Sequence, residues 1–92
     1  MAWTVYIIEA SDASLYTGIS TDVERRWQQH LSGKAGAKFF RGRKPKRLLY
    51  QESVADRSEA SRREVQIKRL NRAEKWRLIQ TAATDSTEPA DV

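Results

Sequence analysis

The chain has 92 residues, of which 39% are hydrophobic and 32% are charged. This length fits one small domain, the composition is too apolar for a disordered chain, and no apolar stretch approaches the ~18 residues of a membrane span. The absence of cysteine and the single histidine exclude a disulfide framework and a zinc site built from Cys and His.

The net charge is positive and unevenly distributed. Seventeen Lys and Arg residues against twelve Asp and Glu residues give +5. Because Asp85, Glu88 and Asp91 lie in the last ten residues, residues 1–82 hold nine acids against the seventeen bases, a net charge of +8. A compact domain this positive favours a polyanionic partner, most simply nucleic acid. The first ten residues carry no basic segment before their apolar run, and with zero cysteines this predicts a cytoplasmic protein without a membrane partner.

The first predicted element is a β-hairpin over residues 3–20. Its first strand is β-branched and aromatic, with apolar residues on both sides, so we expect both sides to be covered. A polar turn at residues 11–14 leads into the second strand, LYTGIS. Pairing across that turn is expected to bring Tyr6 close to Tyr16, while Gly18 leaves open space beside the Tyr16 phenol.

A helix is predicted next, from about residue 22 to residue 32. Thr21-Asp22-Val23-Glu24 has the form of a capping box with Thr21 as the N-cap, and Gly33 supplies the stop. Arg26 and His30 are expected on the shoulder of this helix, within reach of solvent. Its buried stripe follows an i, i+4, i+8 spacing and comprises Val23, Trp27 and Leu31.

Residues 33–47 are predicted to form a mobile basic loop. They hold seven Lys or Arg residues, no acid, three of the four glycines and one proline. Phe39 or Phe40 either stacks on an unpaired base or packs on the core, and the sequence leaves both readings open. The cations expected to bind a phosphate backbone are Lys34, Lys38, Arg41, Arg43 and Lys44.

The rest of the chain predicts a third strand and two helices. The strand covers Leu48–Val54, Asp56-x-x-Glu59 caps a helix that reaches about residue 70, and Asn71-x-x-Glu74 caps the last helix. Residues 84–92 are polar and acidic, so we expect a disordered tail after a single domain over residues 1–83. The order ββαβαα predicts an α+β (mixed α/β) fold, with a three-stranded sheet flanked by helices.

Glu64 is the one carboxylate predicted on an inward helix face. It falls between Ala60 and Ile67, which share that face. An inward carboxylate is costly unless it is paired or bound to metal. The sequence leaves open a metal site and an intrahelical ion pair with Lys68 at i+4.

Several enzyme classes are excluded by their missing motifs. The chain has no cysteine nucleophile, no G-x-S-x-G elbow, no Walker or dinucleotide fingerprint, and too few histidines for HExxH. Arg26 and His30, at i and i+4, suit a phosphate, since a guanidinium holds its oxygens and an imidazole moves a proton. Each candidate also has a purely structural explanation. Tyr6 and Tyr16 could be ordinary strand aromatics, Arg26 a solvated helix charge, and His30 a half-buried structural residue.

Four short motifs resemble those of the GIY-YIG nuclease domain. The resemblance runs from residue 2 to about residue 79 and is strongest to the small stand-alone GIY-YIG proteins of bacteria. The motifs are T-V-Y at 4–6, Y-T-G at 16–18, R-W-x-x-H at 26–30 and E-x-x-I-K at 64–68. Thr4 stands where the family has its first glycine, and the lysine that some members carry after the second motif is absent, so Lys34 or Lys38 would replace it.

The resemblance implies a site that hydrolyses a DNA phosphodiester. By this likeness Tyr16 or Tyr6 helps to deprotonate water, His30 assists, and Arg26 stabilises the charge on phosphorus. Glu64 would bind one Mg²⁺ or Mn²⁺ ion, a role that one carboxylate can fill because these ions keep several waters. The implied catalytic set is Tyr6, Tyr16, Arg26, His30 and Glu64, with Gly18 as a structural residue beside it.

Three functions therefore follow as hypotheses. The first is a metal-dependent DNA endonuclease with weak sequence specificity, acting on structured or single-stranded DNA as a monomer or weak dimer. The second is a nucleic-acid-binding module or adaptor with little or no turnover, favoured by Thr4. The third is a ribosome-associated basic protein that would prefer RNA.

Overall fold

The computed structural model describes residues 2–33, 38–40 and 42–87, with residues 83–87 described by their backbone alone. The predicted order ββαβαα and the α+β fold class are confirmed. The elements are β1 (Trp3–Ala10), β2 (Leu15–Ser20), α1 (Val23–Ser32), a short 3₁₀ turn (Lys38–Phe40), β3 (Pro45–Val54), α2 (Arg57–Lys68) and α3 (Arg72–Thr87).

The three strands form one antiparallel sheet in the order β2-β1-β3. Strand β1 is central, and from Val5 to Ala10 it is buried on both faces, which confirms the prediction drawn from its apolar sides. Val5 and Ile7 pack into one core cluster, while Tyr6 and Ile8 pack into another on the opposite face.

The helices divide between the two faces of this sheet. Ala60 and Ile67 of α2 and Ile79 of α3 complete the core on the Val5 face. On the Tyr6 face, α1 and the 3₁₀ turn cover the sheet with partly buried Trp27 and buried Phe40. Within the described ranges, no helix is both long and apolar enough to cross a bilayer.

The start of α1 and its buried face differ from the prediction. Asp22, not Thr21, is the N-cap: its Oδ1 accepts a hydrogen bond from the Arg25 backbone N–H at 3.0 Å. Leu31 is 46% exposed and His30 only 1%, so the inward stripe runs from partly buried Val23 and Trp27 to buried His30, an i, i+4, i+7 spacing. The stop at Gly33 is confirmed, with a φ of 79° that favours glycine.

Strand β3 begins three residues earlier than predicted, inside the segment expected to be a loop. Pro45 pairs with Ala10 at the edge of the sheet, where the N–H that proline lacks is not needed by an inner ladder. The capping box of α3 is confirmed, because Asn71 and Glu74 exchange two 2.9 Å hydrogen bonds. At α2 the N-cap is confirmed, because Asp56 Oδ1 accepts from the Glu59 N–H at 2.8 Å.

The boundary between the domain and the tail stays a prediction. Helix α3 extends to Thr87, four residues into the segment 84–92 expected to be disordered. Residues 88–92 lie outside the described part of the chain.

Candidate active site

Tyr6 lies on the face of the sheet that α1 covers and is 1% exposed. Its partner on β2 is Gly18, and the centroids of the Tyr6 and Tyr16 rings lie 6.2 Å apart, so the predicted approach of the two tyrosines is observed. The sequence analysis predicted open space beside Tyr16 at Gly18. The prediction was wrong, because the Tyr6 phenol fills that space.

His30 brings the second polar group to this place from α1. Its Nε2 lies 3.1 Å from the Tyr6 hydroxyl oxygen, and the residue is 1% exposed, so the expectation of a solvent-accessible shoulder position was wrong. The reason is the docking of α1, which packs the imidazole against Phe40 with 4.5 Å between ring centroids. Burial, followed by the nearby charge of Arg26, lowers the pKa of His30 to about 4, so the imidazole is neutral at physiological pH.

Arg26 supplies the positive charge beside this pair. Its Nη1 donates a 2.8 Å hydrogen bond to Gln29 Oε1, and its guanidinium also hydrogen-bonds the Tyr6 side chain. Burial raises the pKa of the Tyr6 hydroxyl, with charge repulsion from Tyr16 adding to the rise and Arg26 opposing it. The phenol is therefore protonated at neutral pH, and because its oxygen accepts from Arg26, its O–H is free to donate to neutral His30.

Glu64 lies on α2, and its charge acts on Tyr6. The negative charge of its carboxylate also raises the pKa of Tyr6, after the larger effects of burial and Tyr16, so the two groups are close enough to interact. Lys68 Nζ lies 3.3 Å from Glu64 Oε2, which is the intrahelical pair considered from the sequence. Because the Lys68 side chain is 54% exposed, such a pair contributes only about 0.3–0.5 kcal/mol. The carboxylate is not locked away from another cation.

Tyr16 is half-buried inside a group of rings. The centroids of His30, Phe39 and Phe40 lie 5.4, 5.2 and 5.1 Å from its own. Phe40 is 6% exposed and belongs to the core. Of the two alternatives for this residue, base stacking and core packing, the structure therefore shows packing. Phe39 is covered by the Arg43 guanidinium, 4.3 Å from its ring centroid.

The basic loop places its cations unequally. Lys38 and Lys44 are exposed. Arg43 donates to Asp12 at 2.8 Å and to the Phe39 carbonyl at 3.1 Å, so it fastens the loop to the hairpin turn. The Arg43 hydrogen bond is also the main cause that lowers the pKa of Asp12 to about 2. The other two candidates, Lys34 and Arg41, lie outside the described residues.

Gln29 is a site residue that the sequence analysis missed. Its amide oxygen holds Arg26 from three positions along α1. The i, i+3 spacing is a signal that could have found it, since such side chains are neighbours on a helix surface. Arg26 also lines a cleft of about 140 Å³ at the start of α1 together with Arg25, which places two guanidinium-bearing residues around one small space.

Any metal site here would depend on few protein ligands. In the described part of the chain, no group of three or more His, Asp or Glu side chains could hold an ion. Glu64 is the acid among the five candidate residues, and its one weak ion pair leaves oxygen available. This donor set fits Mg²⁺ or Mn²⁺, which accept one carboxylate and complete their shells with water and substrate oxygen.

Comparison with known proteins adds family evidence to this geometry. Residues 2–78 match the family model described as the GIY-YIG catalytic domain. The UPF0213 protein H16_B0156 of Cupriavidus necator is 48% identical over 89 residues, covering 97% of this chain and 94% of the relative. The UPF0213 protein YhbQ of Escherichia coli K12 is 49% identical over 81 residues, covering 88% and 80%.

A solved structure is similar as well. The solution NMR structure of the UPF0213 protein BH0048 from Bacillus halodurans aligns with a TM-score of 0.57 and 44% sequence identity. The alignment covers 88% of this chain and 85% of that one.

Proposed function

The chain belongs to the GIY-YIG catalytic-domain family, and from that premise we propose that it is a divalent-metal-dependent endonuclease that hydrolyses DNA phosphodiesters with weak sequence specificity. The family is one of nuclease domains. The observation that carries the proposal is the contact of Tyr6 with His30 and Arg26, with Tyr16 and Glu64 close enough to shift the Tyr6 pKa.

Tyr6 and His30 are suited to activate water together. A phenol with a raised pKa is a poor base alone, because its phenolate form is scarce at neutral pH. Neutral His30 allows the phenol to act without a free phenolate, since its Nε2 can accept the Tyr6 proton while the Tyr6 oxygen takes one from the attacking water. Because the pKa of His30 is lowered to about 4, the imidazolium holds that proton weakly and releases it again after the transfer. The water oxygen then bonds to phosphorus, and the bond to the 3′ oxygen breaks.

Arg26 is suited to hold the phosphate in this reaction. Its planar guanidinium can donate to two phosphate oxygens and stabilise the negative charge that grows on them as water attacks. Gln29 restricts the guanidinium, which lowers the entropy lost when substrate binds. Arg25 lines the same cleft and adds positive charge for the incoming strand.

Glu64 is the residue that would hold the metal ion. A bound divalent cation supplies positive charge that neutralises the oxygen leaving phosphorus. Binding requires Glu64 to exchange its contact with Lys68, whose side chain is 54% exposed and can turn to solvent.

Plasmid nicking and oligonucleotide cleavage with Mg²⁺ or Mn²⁺ test the proposal. Removal of the metal with EDTA should abolish cleavage, and Glu64→Ala or Arg26→Ala should lower its rate by about 100-fold or more. Arg77→Ala, an exposed substitution on α3 against the other face of the sheet, is the matched control and should cleave normally. Unchanged cleavage in Glu64→Ala would sink the assignment.

A binding module without turnover is the second candidate function. The Glu64–Lys68 pair favours it, because the metal ligand already has a cation. Thr4 does not, since it pairs regularly with Ser20 and Ser53, and the only positive φ angles in the described chain belong to Ala13, Gly33 and Gly42. A pure binder would keep a strongly salt-dependent affinity for DNA in EDTA and show no cleavage.

A further inference from the structure

A groove of about 670 Å³ lies beside the candidate active site, between α1 and β3. Its apolar lining comes from Val23 and Trp27 of α1 and from Leu48 of β3. Gln51 also lines the groove, and it pairs directly with Tyr6 in the β1–β3 ladder. The groove therefore begins next to the tyrosine that we place at the reacting phosphate.

A register shift in β3 builds the floor of this groove. Ile7 pairs with Tyr50 and Ile8 pairs with Leu48, so Leu49 is skipped. An extra residue of this kind redirects the side chains around it. It allows Leu48 and Gln51, three positions apart, to line one groove while Tyr50 packs into the core on the other face. Leu48 is left 37% exposed at the edge of the sheet.

The charges around the groove differ between its two sides. Lys46 and Arg47 lie on the β3 side, and Glu24 lies on the α1 side. Arg47 is paired with buried Glu9, 2.7 Å away, and the register Ile8–Leu48 and Glu9–Arg47 places that pair on the face of the sheet opposite Leu48. The positive charge on the β3 side of the groove therefore comes from Lys46. A polyanion crossing the groove is therefore attracted to β3, with the half-buried indole of Trp27 facing it from α1.

We infer that this groove binds an unpaired nucleotide of the DNA strand next to the bond that is cleaved. Its phosphate lies beside Lys46, and its base packs on Trp27 and Leu48. A base within a duplex has both faces covered by stacking, so only an unpaired or displaced base can use such a surface. The inference rests on the proposed function and deepens it, because it names DNA with a single-stranded segment at the cleavage site as the substrate class.

Binding measurements on a non-cleaving background test the inference separately from catalysis. In Glu64→Gln protein without metal, fluorescence anisotropy gives the affinity for a blunt duplex and for a splayed duplex of the same length. A 2-aminopurine at the first unpaired position reports stacking. The readout is the ratio of the two affinities, which we expect to favour the splayed DNA by about tenfold or more.

Two variants within the groove should lower that ratio. Trp27→Leu should weaken binding to the splayed DNA by about 5- to 100-fold and restore 2-aminopurine emission, whereas Trp27→Phe should keep most of the preference. Lys46→Glu is a substitution of an exposed residue and should weaken binding to the splayed DNA by about 5- to 10-fold. Arg77→Glu changes the net charge equally on α3 and should leave the ratio unchanged.

The outcomes separate this inference from the proposed function. An unchanged ratio in Lys46→Glu and in folded Trp27→Leu overturns the inference, even if the parent protein cleaves DNA. Loss of the ratio in both variants supports the groove as the binding site, even if no cleavage is found and the endonuclease proposal falls. If Trp27→Leu fails to fold by circular dichroism, Lys46→Glu decides alone.

Discussion

Gly18 lies directly opposite Tyr6 in the β1–β2 ladder, and a Cβ on Gly18 would stand 2.6 Å from the Tyr6 hydroxyl oxygen. That added Cβ would also stand 2.9 Å from Tyr16 Cε2. The backbone of Gly18 has no positive φ, unlike that of Gly33 and Gly42. The glycine is therefore required because the Tyr6 side chain on the neighbouring strand occupies this space, and not because of the backbone conformation at Gly18.

Gly18→Ala should displace the Tyr6 phenol from His30 and Arg26. We expect a loss of cleavage of about tenfold or more and a destabilisation of about 1–3 kcal/mol from overpacking. Gly33→Ala is the control, because its Cβ meets nothing within 4 Å and only the strain of a φ of 79° opposes it. It should cost about 1 kcal/mol and leave the rate per folded molecule unchanged. Equal cleavage by both variants would contradict the packing argument.

His30 should make the stability of the fold depend on pH. Its pKa is 6.5 when unfolded and about 4 when folded, so the unfolded chain binds more protons between these values. The contribution of His30 to the free energy of unfolding therefore rises with pH through this window and is complete above pH 6.5. It amounts to at most about 3 kcal/mol. Urea denaturation of wild type and His30→Gln between pH 4.5 and 7.5 measures this share.

The stability difference between those two proteins should shrink as the pH falls. The folded pKa of Asp12 is about 2, so that group titrates mainly below the window. A difference that stays constant from pH 7.5 to 4.5 would mean that the imidazole is not held neutral by its surroundings.

Lys68 should compete with the metal ion for Glu64. Lys68→Ala removes an i, i+4 helix pair worth about 0.3–0.5 kcal/mol, so the Mg²⁺ concentration for half-maximal cleavage should fall by about twofold. Metal titration of the cleavage rate measures it. Glu64→Gln should lose the metal response, and Arg77→Ala should keep the wild-type midpoint. A higher requirement in Lys68→Ala would show that the lysine supports metal binding.

Asp22 and Thr21 allow the start of α1 to be tested directly. Asp22→Ala removes the side chain that accepts from the Arg25 N–H and should cost about 0.5–2 kcal/mol. Thr21→Ala should change stability by less than about 0.5 kcal/mol, since Thr21 is exposed and is not the cap. Denaturant midpoints of the two variants compare them. The reverse ranking would restore Thr21 as the N-cap.

The sequence by itself determined the elements of this protein and their order. The second strand coincides with LYTGIS, and Asp56 and Asn71 cap their helices as predicted. These features depend on interactions within a few residues of the chain, so a local pattern is enough to predict them. The burial of β1 on both faces also followed from its composition, because a strand that is apolar on both sides needs two covered faces.

The tertiary structure alone decided which groups meet and what state they are in. One residue along a helix turns the side chain by about 100°, so the docking of α1 decided that His30 is buried while Leu31 is exposed. Pairing between distant strands put Tyr6 into the space at Gly18, and the skipped Leu49 opened the groove beside Gln51. These outcomes depend on contacts between residues far apart in the chain, which no local pattern contains.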